Sequence, residues 1–450
     1  MTQATTSVII LAAGMGKRMH STKPKVMHNL AGRPMISHVL ETVSQAGYKD
    51  IILVVGKEME KNHELFLPYQ TVQQKERLGT GHAVKIALET MDDIPDNILI
   101  LYGDTPLISS SNLNHLVKII EDGSEAALLA FKEENLNSYG RVFVKDNYVE
   151  KIIEASDASD EELKNNLCNS GIMAVSGQSI LESVNQIKDN NSKKEFYLTD
   201  IVSIINEGGG KTTFVECSKD ECVGINNKSD LAQAEAVIQE RYRENFMKRG
   251  VTLLDPKSVF FSFDTILGQD VEIGPFTIFG PGVSVGSNVK IKGFCHLEHS
   301  VVSDHAVIGP YARLRPGATI KEDARVGNFV EIKNSQIESG AKVNHLAYVG
   351  DANVGKGSNI GAGTITANYD GFNKSKTEIG DGVSIGSNSV LVAPVNIGDG
   401  SITGAGTIVR KDIPDNSISI TEGPQKTSIG AAGKYRAQKK RKVKKNNEDL

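Results

Sequence analysis

A chain of 450 residues is too long for a single hydrophobic core, so two or three domains are expected. Its 39% apolar and 23% charged residues are ordinary for a globular protein, and a net charge of −5 gives no reason to expect nucleic acid or a membrane as the main partner. The four cysteines, Cys168, Cys217, Cys222 and Cys295, form no CxxC pair, and Cys217 and Cys222 have no histidine nearby, which argues against zinc and for a reduced, cytoplasmic protein; no run is long enough to span a bilayer, and the short N-terminal apolar run lacks the basic flank of a secretory signal.

The first predicted strand, 7–13, carries Val8-Ile9-Ile10-Leu11-Ala12-Ala13 and runs into Gly14-Met15-Gly16-Lys17-Arg18-Met19, with Lys23-Pro24-Lys25 just beyond. The glycines let the backbone turn tightly and bring its N–H groups close to a ligand, and Lys17, Arg18 and Lys25 stand where a triphosphate would need neutralising. The spacing is neither GxGxxG nor GxxxxGK[ST], and on the glycines alone a plain strand–turn with a solvated basic loop is preferred. Further strands are predicted at 50–55, 97–102, 125–131, 140–145, 169–175 and 212–216, and helices at 34–46, 79–90, 109–121, 177–187 and 197–207. This alternation implies a mostly parallel sheet with helices on both faces. Residues 229–249 read as one helix, with Ser229 as N-cap and Gly250 as stop, connecting to a second domain.

From Val251 the texture changes, and aliphatic residues recur at every sixth position. Ile273, Phe279, Val285, Ile291 and Leu297 share one register; Ile308, Leu314, Ile320, Val326 and Ile332 share another. Val343 and Val349, then Val354, Ile360 and Thr366, then Ile379, Ile385, Leu391, Ile397 and Thr403 continue it, with glycine often following the aliphatic. Period six fits neither a helix nor a plain strand. It is the signature of a parallel β-helix, in which each hexad forms one face of a triangular coil. Coils stack ~4.8 Å apart, and none can bury itself alone. The register breaks mildly near 302 and 337 and fully over Ala367–Glu378, a segment that a coil must eject as a loop. The basic end, Lys434 to Lys445, reads as a mobile solubilising tail, a cover for an anionic cofactor or a nucleic-acid arm.

Two stretches of the first half add chemistry. Tyr102-Gly103-Asp104 closes an apolar strand, where a carboxylate can hold an Mg²⁺ that bridges phosphates, or simply cap the turn before Pro106. Gln74 and Leu78-Gly79-Thr80-Gly81 precede a helix whose N-terminus can face a polar ligand, though an ordinary helix start reads the same.

Taken together, the run from Leu11 to Met19, Lys23-Pro24-Lys25, Leu78 to His82, Tyr102 to Asp104, Tyr139-Gly140-Arg141, Glu154, Asn169 and Gly224-Ile225-Asn226 resemble the sugar-phosphate nucleotidyltransferases. The second half resembles the hexapeptide acyltransferases through Ala312 to Gly317, Val326 to Lys333, His345 to Tyr348, Asn359 to Thr364 and Ala367 to Gly371. In this order the chain, from residue 7 to about 425, is similar to the bacterial bifunctional N-acetylglucosamine-1-phosphate uridyltransferase/glucosamine-1-phosphate acetyltransferases. The resemblance implies a Rossmann-like α/β domain with a mixed sheet (1–228), a linker helix (229–250), a left-handed β-helix (251–432) and a basic flexible tail (433–450).

For the first domain the resemblance implies UMP transfer from UTP to N-acetylglucosamine-1-phosphate. Leu11, Ala12, Ala13 and Gly14 would line uridine and phosphates, with Arg18 and Lys25 neutralising charge. Gln74, Gly79 and Thr80 would read uracil. Tyr102, Gly103, Gly140, Glu154 and Asn169 would surround the nucleotide sugar. Asp104 and Asn226 would hold one or two Mg²⁺, with Asn227 a one-residue alternative to Asn226. For the second domain it implies acetyl transfer from acetyl-CoA to the amine of glucosamine-1-phosphate. His345 would be the base, with Arg315 and Lys333 on the sugar phosphate and Tyr348 and Asn359 positioning the sugar. Ala362, Asn368, Tyr369, Ser387 and Ala405 would contact the thioester, sugar or coenzyme, and Lys374 the anionic ligands. Where the family often carries a coenzyme-binding arginine this chain has Thr421-Glu422-Gly423-Pro424. A homotrimer built through the β-helix, with no membrane span and no nucleic-acid partner, is also implied. Two other readings compete: a nucleotidyltransferase whose β-helix only oligomerises or senses an effector, and a nucleic-acid or scaffold protein using the basic tail.

Overall fold

The apolar run at the head of the chain forms strand β1 (Thr6–Ala12), with Val8, Ile9 and Ile10 wholly buried because helices cover both faces of the sheet around it. The computed structural model describes residues 4–134, 138–421, 423, 427–434 and 436–437, leaving aside the side chains of 60–63. It divides into two compact units: the first reaches Thr265 and takes in Ile278–Gly282, and the second holds Ile266–Thr277 and the chain from Val283 onward.

After β1 the first unit continues through the hairpin of β2 (Asn29–Leu30) and β3 (Arg33–Pro34), α1 (Met35–Gln45), β4 (Asp50–Val55), β5 (Gln70–Gln73), α2 (Thr80–Leu88) and β6 (Asn97–Tyr102). It goes on through α3 (Ser110–Glu121), β7 (Ala126–Lys132), β8 (Arg141–Lys145), β9 (Tyr148–Ile153), β10 (Leu167–Ser176), α4 (Gly177–Val184), α5 (Ile201–Glu207), β11 (Thr212–Glu216), α6 (Lys219–Cys222) and α7 (Lys228–Lys248). The sheet runs β11-β7-β10-β6-β1-β4-β5, with β8 and β9 attached beside β10. Only β10 on that path is antiparallel to its neighbours, which makes the sheet mixed. Strand alternation sends Val8, Ile10 and Ala12 to one core with Ile36, Val39 and Leu116, and Ile9, Leu11 and Ala13 to the other with Val84, Ile180 and Ile201.

Every strand and helix expected in this unit is present within a few residues, but three features arise only from tertiary structure. β5 has no apolar alternation; it is a strand because it pairs in parallel with β4. β9 turns back on β8 through Asp146 and Asn147, whose φ values of 51° and 67° suit the tight turn of a hairpin. The expected helix 197–207 begins instead as a 3-10 turn, Leu198–Asp200, before α5. Two expectations are corrected. The cap of α7 is Asn227, not Ser229: its Oδ1 accepts from the N–H groups of Ser229 (2.8 Å) and Asp230 (2.9 Å), and the Asp230 carboxylate accepts from the Asn227 N–H at 3.2 Å. Cys217 and Cys222 are not free thiols; the single turn α6 folds the segment back so that they form a disulfide, while Cys168 and Cys295 are buried and take part in no disulfide among the described residues.

In the second unit the hexads wind into a parallel β-helix with three faces. On the first face Ile291, Ile308, Val326, Val343, Ile360 and Ile385 follow one another in register. On the second, Leu297, Leu314, Ile332 and Val349 do so, and on the third, Val285, Val302, Ile320, Ile337, Val354, Ile379 and Ile397. All of these aliphatics are buried. The irregularities share one place. Five residues instead of six separate Leu297 from Val302, Ile332 from Ile337 and Val349 from Val354, and the 367–378 insert lies between Thr366 and Ile379. Each falls at the corner between the second and third faces. The corner between the first and second faces keeps its length, and there Phe276, Phe294, Tyr311 and Phe329 stack ring on ring at 4.7–5.0 Å.

Candidate active sites

At the carboxyl ends of β1 and β6, Leu11 lies opposite Tyr102, so the glycine turn after β1 and the Gly103-Asp104 turn after β6 open side by side. Leu11, Ala12, Ala13, Gly14, Lys25, Gln74, Gly79, Thr80, Tyr102 and Asp104 line one open cavity of about 270 Å³. Gly16 is required here. Its φ is 63°, and a Cβ on it would stand 2.6 Å from the Cβ of Lys25, so the glycine lets Lys25 come in close. Gly79, at φ 116°, starts α2, and a Cβ there would meet the Phe196 carbonyl oxygen at 2.4 Å.

The charged centre joins four side chains from three parts of the sequence. The Lys25 ammonium forms an ion pair with Asp104 and donates to Asn226 Oδ1 at 2.8 Å, and the Arg18 guanidinium donates to the same oxygen at 2.9 Å. Asn227 spends its side chain on the α7 cap, so Asn226 is the amide that faces Asp104. The backbone joins the two as well, with the Ile225 N–H donating to the Asp104 carbonyl at 2.9 Å. Hard oxygens from a carboxylate and an amide, converging beside cations, fit a divalent metal that takes its remaining ligands from phosphates and water. Among the described residues no group of three or more His, Cys, Asp or Glu side chains could make a closed metal cage.

Gly140, Glu154 and Asn169 form a neighbouring group rather than lining that cavity. The Asn169 N–H donates to the Gly140 carbonyl at 2.8 Å, and a Cβ on Gly140 would approach the Glu154 carboxyl carbon at 3.6 Å. Burial raises the pKa of Glu154, partly offset by the hydrogen bond from Thr199 at 3.1 Å. Burial also pushes Asp200 up, to about 6, helped by the charges of Glu154 and Asp157. Tyr102 reaches toward this group through the bulge in β10: a Cβ on Gly171 would touch its ring at 2.7 Å. Arg77 is a cavity residue that the sequence reading passed over. Its Nε donates to the Ala13 carbonyl at 2.7 Å and its guanidinium pairs with Glu58 at 2.5 Å, so it pins the turn after β1. Two cations, Lys75 and Arg77, lie between Gln74 and Gly79, and the sequence offers no signal that separates them.

In the β-helix most of the expected residues separate onto two corners. His345, Ala362, Ser387 and Ala405 form a column up the corner between the first and second faces. Gly363 donates to the His345 carbonyl at 3.2 Å, Asn388 to that of Ala362 at 2.7 Å and Gly406 to that of Ser387 at 2.8 Å. The His345 ring is exposed, with Nδ1 2.8 Å from Asn328 Oδ1. With the Asn328 oxygen facing it, Nδ1 is the donor of this bond, and Nε2 is the ring nitrogen that Asn328 does not engage. Tyr348 lies just past this corner, its hydroxyl 2.4 Å from where a Gly350 Cβ would be, and Asn359 is exposed on the first face.

The other corner holds the cations. Arg315 donates to Glu331 at 2.7 Å, and Lys333 approaches Asp351 at 3.7 Å. Asp351 is the hub, unforeseen in the sequence: it is 6% exposed and accepts from Asn334 at 2.5 Å and from Asn368. Burial would raise its pKa, but those hydrogen bonds and the charges of Lys333 and Lys374 outweigh it and hold the carboxyl low. Tyr369 and Lys374 bridge across the ejected loop, and Tyr369 is exposed. Glu422, the departure from the expected arginine, and most of the basic tail lie outside the described residues.

The chain's similarities agree with this two-part geometry. Residues 8–197 match the model of the MobA-like NTP transferase domain, and 264–299 and 376–411 match the bacterial transferase hexapeptide. A protein of Paramagnetospirillum magneticum named bifunctional protein GlmU is 48% identical over 440 residues, covering 97% of this chain and 98% of its own length. Its namesake from Rhodospirillum rubrum is 49% identical, covering 98% of this chain and 99% of its own length. This chain belongs to the GlmU family. It is therefore a bifunctional transferase that acetylates glucosamine-1-phosphate with acetyl-CoA and then transfers UMP from UTP to the product, releasing pyrophosphate. The matched hexapeptide repeats and the three stacks of parallel strands are consistent with a left-handed β-helix. Among the described residues no helix is long and apolar enough to cross a membrane.

Proposed function

We propose that uridylyl transfer takes place at the cavity between β1 and β6, and acetyl transfer along the His345 column. The convergence of Arg18, Lys25, Asp104 and Asn226 beside that cavity carries the first assignment. Phosphoryl transfer depends mainly on positioning and charge neutralisation. Arg18 and Lys25 bind the phosphates of UTP and stabilise the departing pyrophosphate, while Gln74, Gly79 and Thr80 hold the uracil. Gly140, Glu154 and Asn169 hold the sugar so that its phosphate attacks the α-phosphorus in line. Asp104 and Asn226 hold Mg²⁺, which supplies charge neutralisation at the phosphates when bound.

At the second site Nε2 of His345 takes the proton from the amine of glucosamine-1-phosphate as that amine attacks the thioester carbonyl. Asn328 engages Nδ1 and so orients the ring with Nε2 toward the substrate. Because the two corners of one coil are apart, the acetyl-transfer site lies between neighbouring subunits of the trimer: Arg315 and Lys333 hold the sugar phosphate, Tyr348 and Asn359 the sugar, and the Ala362 N–H the developing oxyanion. Asn368, Tyr369, Ser387 and Ala405 contact sugar or coenzyme. Residues 1–228 and 251–432 serve as the two catalytic domains, in a cytoplasmic homotrimer assembled through the β-helix; light scattering would give about three times the 48.6 kDa chain mass.

The deciding experiment supplies either glucosamine-1-phosphate with acetyl-CoA, or N-acetylglucosamine-1-phosphate with UTP and Mg²⁺. His345→Ala should lose acetyl transfer alone and Asp104→Ala uridylyl transfer alone, each by more than about 100-fold. A variant that loses both, or neither, would overturn the assignment.

A further inference from the structure

Gln74 is 6% exposed at the wall of the uridylyl cavity, and its amide nitrogen has two partners: the Gly79 carbonyl at 3.0 Å and Nδ1 of His82 at 3.3 Å. A carbonyl only accepts, so the NH₂ end of the amide must face Gly79, and its second hydrogen needs another acceptor. His82 supplies one only as a neutral ring with its own proton on Nε2. With both amide hydrogens engaged, Oε1 is the group Gln74 has left for a ligand. His82 sits on another face of α2, where with Leu78, Ile86 and Phe196 it lines a second hollow of about 350 Å³, so it touches Gln74 from behind.

We infer that His82 is a positioning residue for base selection: by accepting from Gln74 it holds the Gln74 oxygen as an acceptor for the pyrimidine ring. Uracil presents a donor at N3 and cytosine an acceptor, so the orientation of this one amide separates UTP from CTP. A site built to accept a hydrogen bond rejects the base that lacks the donor, because its own buried oxygen is left unpaired. The inference rests on the assignment of Gln74 to the base.

The test is steady-state uridylyl transfer by the full chain with UTP and CTP, for wild type, His82→Leu, His82→Asn and Gln74→Leu. Loss of one of the two bonds that orient the amide predicts a roughly five- to tenfold rise in the KM for UTP in His82→Leu. The preference for UTP over CTP should narrow by a similar factor, with kcat and the KM for N-acetylglucosamine-1-phosphate little changed. His82→Asn, whose Oδ1 falls near the place of Nδ1, should restore both quantities. Wild-type values in His82→Leu, or equal damage in His82→Asn, overturn the inference. If Gln74→Leu loses the preference while His82→Leu keeps it, only the role of His82 fails; if Gln74→Leu also keeps it, the assignment of Gln74 to the base fails too. Should His82→Leu not fold, ring ¹⁵N shifts of the wild type decide: a protonated Nε2 with a bare Nδ1 supports the inference, and a protonated Nδ1 overturns it.

Discussion

Two aspartates show how burial alone does not set a carboxyl's behaviour. Asp351 is buried and held ionised by the amides of Asn334 and Asn368 and the Lys333 charge, so it can pair with Lys333 without being neutralised. Asp200 has no such partners among the described residues, stands near Glu154 and Asp157, and is pushed up to about 6. A raised acid binds more protons folded than unfolded between its unfolded value of 3.8 and about 6, so its contribution makes stability fall as pH rises through that window and then level off. Asp200→Asn removes the charge that the folded state disfavours. It should raise the melting temperature at pH 7.5 and flatten the decline between pH 4 and pH 6. A melting temperature lowered at pH 7.5 would show that Asp200 is ionised in a favourable contact.

At the level of elements, what the sequence shows depends on whether a pattern is local. The period-six register and the run of β1 are local, and both stand where the residues put them. β5 and β9 are strands only by virtue of their neighbours, and Arg77 and Asp351 matter only because distant backbone brings Ala13 to one and Lys333 to the other. The shortened hexads look like noise in one dimension. In three they share a corner, which absorbs changes of length because it lies outside the paired strands, and the ejected loop uses the same corner. The Cys217–Cys222 bond was illegible for a similar reason, since a single helical turn decides whether the sulfurs meet. The glycine turn after β1 can be tested as an element. Gly16→Val forces a branched side chain into a left-handed position, at about 1–2 kcal/mol of backbone strain, and into the Cβ of Lys25. Displacing Lys25 by even about 1 Å should cost uridylyl transfer on the order of 100-fold. Acetyl transfer should stay at the wild-type rate; a Gly16→Val protein with normal uridylyl transfer would remove Lys25 from the phosphate site.

For the whole molecule, the two activities rest on different kinds of core. The α/β unit has clusters on both faces of one sheet, with a third under α7 built from Leu30, Met35, Ala234 and Ile238, and all of these residues lie before Thr265. The β-helix has instead a column of aliphatics, each touching the coil above and the coil below, so a defect in one coil is felt by its neighbours. Val343 stands in the middle of that column, fully buried, two residues before His345. Val343→Asp would place an unpaired carboxylate there, which is among the most destabilising changes a core can take. The expected outcome is loss of acetyl transfer and of the high-mass species in light scattering. Uridylyl transfer from UTP to supplied N-acetylglucosamine-1-phosphate should persist within about threefold, because the first unit keeps its own core. If both activities fall together, the α/β unit draws its stability from the coils, and the separation of cores does not amount to a separation of folding.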